Sequence, residues 1–268
     1  MKSTQPKKMI QRLCFQLVVP MMAGGFSLAA HAEVLEPDYS VTYNVGVLSD
    51  YRVRGIAQTS FKPALQGGID FAHKNGLYLG TAISNVRWVK EFNGATKGSY
   101  ELDLYGGHKG EISPGLTYDV GVISYRYPGN DSGVGSDAIP EGTYTNASTT
   151  EIYGALTYKI YTFKYNRSLG DFLGNPGSSG SQYFDLSAAY DLGKGFSLTP
   201  HIGRQLIPNQ PVPLSYTDIA LTLSKDFGNG FVATAAALAN NADKPAYTDI
   251  NGRVLSRSVL TLGVKYSF

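Results

Sequence analysis

The sequence of 268 residues has few charged residues, one cysteine and no long apolar run after its first 32 residues. Charged residues make up 16% of the chain, whereas an ordinary soluble domain has about 25%. The single cysteine, Cys14, excludes a scaffold held by disulfide bonds. After residue 32, no segment approaches the ~20 apolar residues of a membrane-spanning helix. These absences exclude disulfide-rich secreted domains and helical membrane proteins.

Glycine and tyrosine are abundant instead. The chain has 31 glycines, roughly 12% against a usual ~7%, and 19 tyrosines. Hydrophobic residues make up 43%, which is enough to build a core and excludes an intrinsically disordered chain. This composition, with few charges and no long apolar runs, favours β-structure and is compatible with a membrane location.

Residues 1–32 form a separate segment with the features of a secretory signal. The segment starts with basic residues and no acidic ones, continues with an apolar stretch from Leu13 to Ala30, and ends in Ala30-His31-Ala32. This order predicts a Sec-type signal peptide cleaved after Ala32, which leaves residues 33–268 as one domain. Its basic residues are Lys2, Lys7, Lys8 and Arg12. Without them the domain has 19 basic and 21 acidic residues, and the net charge of +2 becomes −2, so no charge argument favours nucleic-acid binding.

Side-chain polarity in residues 33–268 alternates with a period of two, which is the period of a β-strand. In the last segment, even-numbered positions from 258 to 268 are mostly apolar and odd-numbered positions are mostly polar or small. Twelve such segments can be counted, an even number as bacterial single-chain barrels require. They start near Tyr39, Ala64, Leu77, Tyr100, Leu116, Glu151, Tyr161, Tyr183, Phe196, Tyr216, Phe231 and Ser256.

The connections between these segments alternate strictly between short and long. Three short ones, Lys74-Asn75-Gly76, Gly193-Lys194-Gly195 and Gly228-Asn229-Gly230, have the composition of tight hairpins. The other short connections cover 110–115 and 159–160, and the long polar ones cover 54–62, 87–99, 128–148, 168–182, 206–215 and 240–255. The pattern predicts an all-β fold, an up-and-down transmembrane antiparallel β-barrel of about 12 strands with short periplasmic turns and longer extracellular loops. The expected location is the bacterial outer membrane, reached through the periplasm.

Aromatic residues give two further indications of a barrel. Tyrosines near strand ends are expected to form the aromatic girdles at the membrane interfaces. They are Tyr39, Tyr100, Tyr127, Tyr158, Tyr183, Tyr190 and Tyr216. The last strand ends with Tyr266 and Phe268, which resemble the assembly signal that the barrel-insertion machinery recognises. Expected partners are therefore outer-membrane lipid and lipopolysaccharide, the barrel-assembly machinery during insertion, and small solutes or ions, with no nucleic acid.

The run from Asn44 to Thr59, NVGVLSDYRVRGIAQT, resembles the opening signature of the TorF-type outer-membrane porin family of proteobacteria. The segments Pro63–Phe71 and Glu101–Gly107 are also similar to that family, and the resemblance extends over residues 33–268. It implies an outer-membrane barrel with a channel role, and it implies no particular solute.

Several charged residues fall on the predicted lumen face of the strands. Inward placement is favoured because an Arg or Lys at mid-depth on the lipid face costs about 2–4 kcal/mol. The candidate pore-lining residues are Asp50, Arg52, Asp70, Glu101, Asp103, Asp119, Glu151, Lys164, Asp185 and Asp218, with Arg257 and Lys265 on the same face. One interpretation is a pore that selects solutes by charge. The alternative is a plugged lumen in which these groups pair as a structural network.

No sequence motif indicates an enzyme, a cofactor or a metal site. His201 has no nucleophile motif nearby and is interpreted as structural, and the glycine-rich segment 129–133 lacks the EF-hand pattern. The favoured function is a porin or channel for passive passage of small polar solutes or ions. The alternative is a non-conducting outer-membrane barrel whose surface loops mediate adhesion or interaction.

Overall fold

The structure is a computed structural model that describes residues 37–268, so the predicted signal peptide lies outside the described residues. This range is nearly all β-structure, with one four-residue helix, α1 (Trp88–Glu91), and a 3-10 turn at Pro245–Tyr247. The strands are β1 (Tyr39–Leu48), β2 (Arg52–Val53), β3 (Ile56–Ala57), β4 (Ala64–His73), β5 (Leu77–Asn85), β6 (Tyr100–Ser113), β7 (Leu116–Arg126), β8 (Thr149–Tyr158), β9 (Tyr161–Ser168), β10 (Gln182–Ala188), β11 (Tyr190–Gly193), β12 (Phe196–Leu206), β13 (Tyr216–Gly228), β14 (Phe231–Asn240) and β15 (Val259–Ser267).

Twelve wall strands close into an antiparallel β-barrel. β1 pairs with β4 on one side and with the last strand, β15, on the other, while β10 pairs with both β9 and β12. β10 and β11 are two parts of one wall strand, and β2 with β3 forms a small hairpin that is not part of the wall. Closure pairs the backbone groups of the wall, as a hydrocarbon environment requires. The predicted 12-strand barrel is confirmed.

The wall has an apolar outer face and a more polar inner face. Along β1, Val45 and Val47 are 48% and 51% exposed, whereas the alternating residues are half-buried or buried. The apolar residues at even positions of β15, such as Leu260 and Leu262, are likewise exposed. Such alternation places one row of side chains against lipid and the next row in the lumen. Among the described residues, no helix is both long and apolar enough to cross a membrane.

The short connections lie at one end of the barrel, the short-turn end, together with Phe268. Lys194-Gly195 and Asn229-Gly230 each have two successive residues with positive φ, which is the type I′ turn that matches the strand twist. Glycine is required at position 230, because a Cβ there would lie 2.0 Å from the carbonyl oxygen of Ser267. One predicted short connection is wrong. The strand β6 continues through 110–113 because these residues pair with β7, and the turn is only Pro114-Gly115.

The long connections lie at the opposite end, the loop end. We name them L1 (49–63), L2 (86–99), L3 (127–148), L4 (169–181), L5 (207–215) and L6 (241–258). L2 to L6 match the predicted long connections to within three residues. L1 begins five residues earlier than predicted because β1 ends at Leu48, so Asp50 and Arg52 lie in a loop and not on a wall strand. L1 contains the β2–β3 hairpin and differs from an ordinary surface loop, because its residues 50–60 are buried apart from the half-buried Val53.

The tyrosine prediction is correct for part of the set. Tyr39, Tyr100, Tyr158 and Tyr190 are exposed on the outer face, as girdle residues should be. Tyr127, Tyr183 and Tyr216 are buried on the inner side instead. Tyr183 and Tyr216 each lie two positions before a lumen-facing aspartate, so the strand alternation directs them inward.

At the end of the last strand, the ring of Tyr266 stacks between neighbouring aromatic rings. Its centroid lies 4.5 Å from that of Phe231 and 5.5 Å from that of Phe268, which in turn stacks on Tyr43. The two residues of the predicted assembly signal therefore belong to an aromatic group at the short-turn end. Recognition by the insertion machinery stays a prediction.

Candidate functional site

Residues 50–60 of L1 cross the lumen, and we call this segment the L1 partition. The Tyr51 hydroxyl donates a hydrogen bond to Glu101 on β6. Four residues further along the chain, the Gly55 carbonyl oxygen accepts a hydrogen bond of 3.1 Å from the Asn240 amide on β14. Because β6 and β14 are separated by several strands in both directions around the wall, the L1 partition spans the barrel from one side to the other.

The first part of the L1 partition is fixed by an ion pair between Asp50 and Arg52. Arg52 Nε lies 2.8 Å from Asp50 Oδ2, and both side chains are buried. Arg52 Nη1 also donates to the carbonyl oxygens of Gly55 and Arg257, which connects L1 to L6. Burial lowers the pKa of Arg52, and the negative charge of Asp50 acts against this decrease. Asp50 and Arg52, both predicted to line the pore, are thus in direct contact at the loop end of the lumen.

Arg54 fixes the middle of the L1 partition to two wall strands. Its Nη1 and Nη2 donate to the two oxygens of Glu151 on β8, at 3.1 and 2.6 Å, and Nη1 donates to Gln205 Oε1 on β12 at 2.7 Å. The guanidinium also lies over the ring of Tyr183, with 4.3 Å from Cζ to the ring centroid. Burial disfavours the charge, but Glu151 outweighs burial and raises the pKa of Arg54. Bidentate pairing of this kind fixes the orientation of the guanidinium and also balances its charge.

An inner cavity of about 190 Å³ lies on the short-turn side of the L1 partition. It follows the wall formed by β13, β14, β15 and β1, where several inward side chains of β13 to β15 are small and lie beside the larger Val232, Leu238 and Lys265. These small residues are Ala220, Thr222, Thr234, Ala236, Thr261 and Gly263. The charged residues that line the cavity are Asp50, Arg52, Arg54, Asp185, Asp218 and Lys265, together with His201.

A second space, the outer chamber, lies on the loop side of the L1 partition and has a volume of about 60 Å³. Residues from L1, L2, L4, L5 and L6 surround it. Val53 and Arg54 line both the outer chamber and the inner cavity, so these two residues lie between the two spaces.

His201 on β12 lies between two carboxylates. Its Nδ1 is 2.7 Å from Asp185 Oδ2, and its Nε2 is 2.8 Å from Asp218 Oδ2. The Nε2 contact with Asp218 is a hydrogen bond, whereas Asp185 Oδ2 has no hydrogen-bond partner among the described residues, so its contact with Nδ1 is an ion-pair distance only. The structural role of His201 stays a prediction. Within residues 37–268, no group of three or more histidine, cysteine or carboxylate side chains is placed to hold a metal ion.

Glu101 and Asp103 are both buried and point inward from β6, as predicted. The Glu101 carboxylate accepts hydrogen bonds from the hydroxyls of Tyr51 and Tyr127. Burial and the charge of Glu101 raise the pKa values of both tyrosines, so their hydroxyls stay protonated and donate. Asp103 Oδ1 has no hydrogen-bond partner among the described residues. The partners of Glu101 are therefore tyrosines rather than arginines.

The three other predicted lumen residues contact aromatic side chains. Asp70 accepts a hydrogen bond from Tyr105, and Asp119 accepts one of 2.5 Å from Tyr78. Lys164 Nζ lies 4.0 Å from the ring centroid of Tyr153. The tyrosines and their carboxylate partners lie along β4 to β9 and fill that side of the lumen, opposite the small residues that line the inner cavity.

All ten predicted residues are thus on the inner side, but they divide into two groups. Asp50, Arg52, Asp185 and Asp218 line the inner cavity, and the remaining six do not. Sequence reasoning missed Arg54 and Gln205 as site residues. Arg54 lies in the run Asn44–Thr59, but it follows the end of the strand alternation, so the alternation assigns its side chain to no face.

No curated protein matches the sequence. Solved porin structures match the fold. A structure described as the KdgM porin in complex with disordered oligogalacturonate aligns with a TM-score of 0.51 and 8% identity, covering 85% of this chain and 98% of that chain. The NanC porin structure aligns with a TM-score of 0.50 and 11% identity, covering 85% and 99%. At such low identity, the likeness concerns the fold alone, which is that of outer-membrane porins.

The sequence also matches a protein family over residues 32–268. The matched range includes the run Asn44–Thr59, on which the resemblance to TorF-type porins is based, although the description of the family does not name that type. The chain belongs to the bacterial family of unknown function described as Gcw_chp, and its barrel has the porin fold.

Proposed function

We propose that this chain is an outer-membrane channel through which small polar solutes or ions pass passively. The inner cavity is the observation that carries the proposal. Eight-stranded barrels are filled by side chains, whereas 16-stranded porins leave a wide aqueous channel. Here a 12-stranded barrel has one side filled by tyrosines and the other lined by small and charged residues around about 190 Å³ of space.

The proposed route enters at the outer chamber, passes the L1 partition at Val53 and Arg54, and continues through the inner cavity to the short-turn end. The L1 partition is its narrowest part. Asp50, Arg52, Asp185 and Asp218 are proposed as the pore-lining members of the predicted set, together with Lys265. Asp70, Glu101, Asp103, Asp119, Glu151 and Lys164 are proposed to hold the filled side of the lumen and the L1 partition in place.

The proposal includes the cellular context. Export by the signal peptide at residues 1–32 and insertion guided by Tyr266 and Phe268 would deliver the barrel to the outer membrane. L1 to L6 would then lie outside the cell, because the long loops of outer-membrane barrels are extracellular. We also propose that the chain is a member of the TorF-type porin family, which the run Asn44–Thr59 supports.

Single-channel recording with purified protein in a planar lipid bilayer tests this function. We expect discrete, reproducible conductance steps, smaller than those of 16-stranded porins because the L1 partition narrows the lumen. Unboiled and boiled samples compared on a denaturing gel give the control for folding, because closed barrels migrate differently from the unfolded chain. Folded protein without conductance steps would overturn the channel and favour a non-conducting barrel whose loops mediate adhesion.

A further inference from the structure

The outer face of the barrel carries three exposed arginines at the loop end, and we call them the arginine belt. Arg126 is the last residue of β7, Arg167 is the next-to-last residue of β9, and Arg204 lies two residues before the end of β12. Strand alternation directs all three away from the lumen. The exposed apolar residues in the same outward rows are Val122, Phe163 and Ile202.

The arginine belt has no counter-charge of its own. Within the described part of the chain, none of the ion pairs includes any of the three arginines. Arg204 Nη1 donates a hydrogen bond of 3.1 Å to the hydroxyl of Thr217. On β7 and β8, the outward Ser124 and Thr150 hydroxyls lie 2.9 Å apart, and on β10 the outward neighbour of Arg167 is Gln182. An exposed row of guanidinium groups among uncharged polar groups attracts an anionic partner.

The arginines follow alternate strands of the wall. β8 separates β7 from β9, and β10 separates β9 from β12. Because neighbouring strands lie about 4.8 Å apart, successive arginines are at least roughly 10 Å apart around the wall. At that spacing each arginine can hold an anionic group of its own. A ligand with several such groups can therefore engage two or three arginines at once, which raises its affinity above that of a single contact.

The arginine belt occupies one side of the loop end only. On the opposite wall strands β14, β15, β1 and β4, the outward residue nearest to the loop end is uncharged. These residues are Ala239, Leu260, Val47 and Leu65. Cations that anchor a whole barrel at the membrane surface are expected around its full circumference. The one-sided arrangement points instead to a binding surface for a particular molecule.

The depth of the arginine belt indicates a lipid headgroup. In each outward row, apolar residues give way to arginine where the wall ends, which is the level of the boundary between hydrocarbon and headgroups. Basic clusters at this level recognise anionic headgroups. At the extracellular surface of the outer membrane, the lipid is lipopolysaccharide, a glycolipid with several phosphates on its inner sugars. Arginine binds phosphate through two parallel hydrogen bonds, and the hydroxyl and amide groups of the strands in between can bind sugar hydroxyls.

We infer that the arginine belt binds the phosphates of a lipopolysaccharide molecule in the outer leaflet. The sequence predicts lipopolysaccharide as a general partner of the barrel, and the arginine belt assigns the contact to Arg126, Arg167 and Arg204 on one side of it. The inference goes beyond the channel function. It rests on the proposed orientation, with L1 to L6 outside the cell, and it does not require conduction.

Binding is measured with folded protein in detergent and fluorescently labelled lipopolysaccharide, whose anisotropy increases when it is bound. Lipopolysaccharide from which the phosphates have been removed by hydrofluoric acid and phosphatidylglycerol, which has a single phosphate, serve as competitors. We expect saturable binding of intact lipopolysaccharide that weakens with added salt, because exposed charges are screened. The dephosphorylated form should bind at least about tenfold more weakly, because it lacks the charge-assisted contacts.

The double variant Arg126→Gln with Arg167→Gln removes two exposed charges without breaking an ion pair, and we expect about tenfold weaker binding. Lys159→Gln with Lys194→Gln is the matched control, because it removes the same charge at exposed turns of the short-turn end and should change the affinity little. Migration of unboiled samples verifies that both double variants fold. Arg204→Lys keeps the charge but loses the two-bonded geometry, so it should also weaken binding.

The outcomes separate the inference from the channel proposal. Unchanged binding by the arginine double variant overturns the inference, and so does an equal loss in the lysine control, which indicates attraction by net charge alone. Equal affinity for dephosphorylated lipopolysaccharide contradicts the assignment to phosphate. Competition by phosphatidylglycerol at equal affinity assigns the surface to phospholipid headgroups and overturns the choice of lipopolysaccharide. Lipopolysaccharide binding without conductance steps supports the inference and overturns the channel, whereas conductance steps without such binding do the reverse.

Discussion

The guanidinium of Arg54 and the carboxylate of Glu151 form a two-bonded ion pair that joins L1 to strand β8, with N–O distances of 3.1 and 2.6 Å. Both side chains are buried, so neither charge can be left alone without a large cost. The pair therefore fixes the L1 partition inside the lumen more firmly than loop residues are usually held. The L1 partition can move only if this pair breaks or if Glu151 moves together with Arg54.

Loss of one partner of this pair should be more harmful than loss of both. Glu151→Gln leaves the Arg54 charge buried, and we expect a decrease of about 3–5 kcal/mol in the free energy of unfolding. Arg54→Met combined with Glu151→Leu leaves no isolated charge and should cost less. Urea unfolding in lipid vesicles, followed by gel migration, measures both. A double variant less stable than the single one would contradict this account of the pair.

The contact of Gly55 with the wall predicts a change in conductance. Gly55 has a φ of +79°, and a Cβ there would lie 3.0 Å from the Cβ of Asp218. Gly55→Ala should displace the L1 partition and increase the single-channel conductance. Gly142→Ala in L3 is the matched control, because its φ is +76° and its added methyl group meets nothing within 4 Å. Both variants bear a backbone strain of roughly 1–2 kcal/mol, so only the first should change conductance.

Lys265 predicts the direction of a change in ion selectivity. It lines the inner cavity, and a unit charge 4 Å from a passing ion changes that ion's energy by roughly 1 kcal/mol in water. Lys265→Gln should therefore increase the preference for cations up to roughly fivefold, measured as the reversal potential in a salt gradient. Lys74→Gln, at an exposed turn where Lys74 pairs with Asp38, should change it little. Equal shifts for both variants would place Lys265 off the ion path.

Acid should loosen the contact between L2 and L6. Glu91 pairs with Arg87 at 2.8 Å and with Arg253 of L6 at 3.3 Å. Partial burial raises the pKa of Glu91, but the hydrogen bonds from Arg87 and the nearby positive charges of Arg87 and Arg253 outweigh it and lower the pKa below its ordinary value of 4.5. A lowered pKa means that the contact stabilises the folded loops above pH 4.5 and is lost as the pH falls through the lowered value.

Fluorescence anisotropy of Trp88, three residues before Glu91, measures this effect. We expect the anisotropy to be constant from neutral pH to about 4.5 and to decrease below it. Glu91→Gln lacks the carboxylate and should give a low anisotropy at both ends of the range. A parallel pH response in this variant would assign the change to another group.

Much of the wall could be predicted from the sequence, because each wall residue faces either lipid or lumen. The polarity of its side chain indicates which of the two it faces. The predicted start of β13 at Tyr216 and of β14 at Phe231 agrees with the structure. The end of β6 was missed because glycine and glutamate at 110–111 resemble a turn, while pairing with β7 keeps them in the strand. Local composition carries no information about a partner strand.

The candidate site could be predicted only in part. The inward direction of Glu101 and Glu151 follows from strand alternation, but their different partners do not. Glu151 binds Arg54, which is 97 residues away in the sequence and belongs to a loop without periodicity. Tyr127 was expected in an interfacial girdle, because a tyrosine near a strand end has the same local signature whether it faces headgroups or a buried carboxylate.

The tyrosine-filled side of the lumen and the small-residue side belong to different strands. The open space of the barrel therefore lies to one side of the barrel axis. In the proposed channel, the hydroxyl–carboxylate contacts of β4 to β9 make one side of the lumen rigid. The alanine, threonine and glycine residues of β13 to β15 determine the width of the pore. The two tasks are therefore separable in sequence. Exchange of a few small side chains on these three strands could widen or narrow the pore in relatives. The hydroxyl–carboxylate contacts on the other side of the lumen would stay intact.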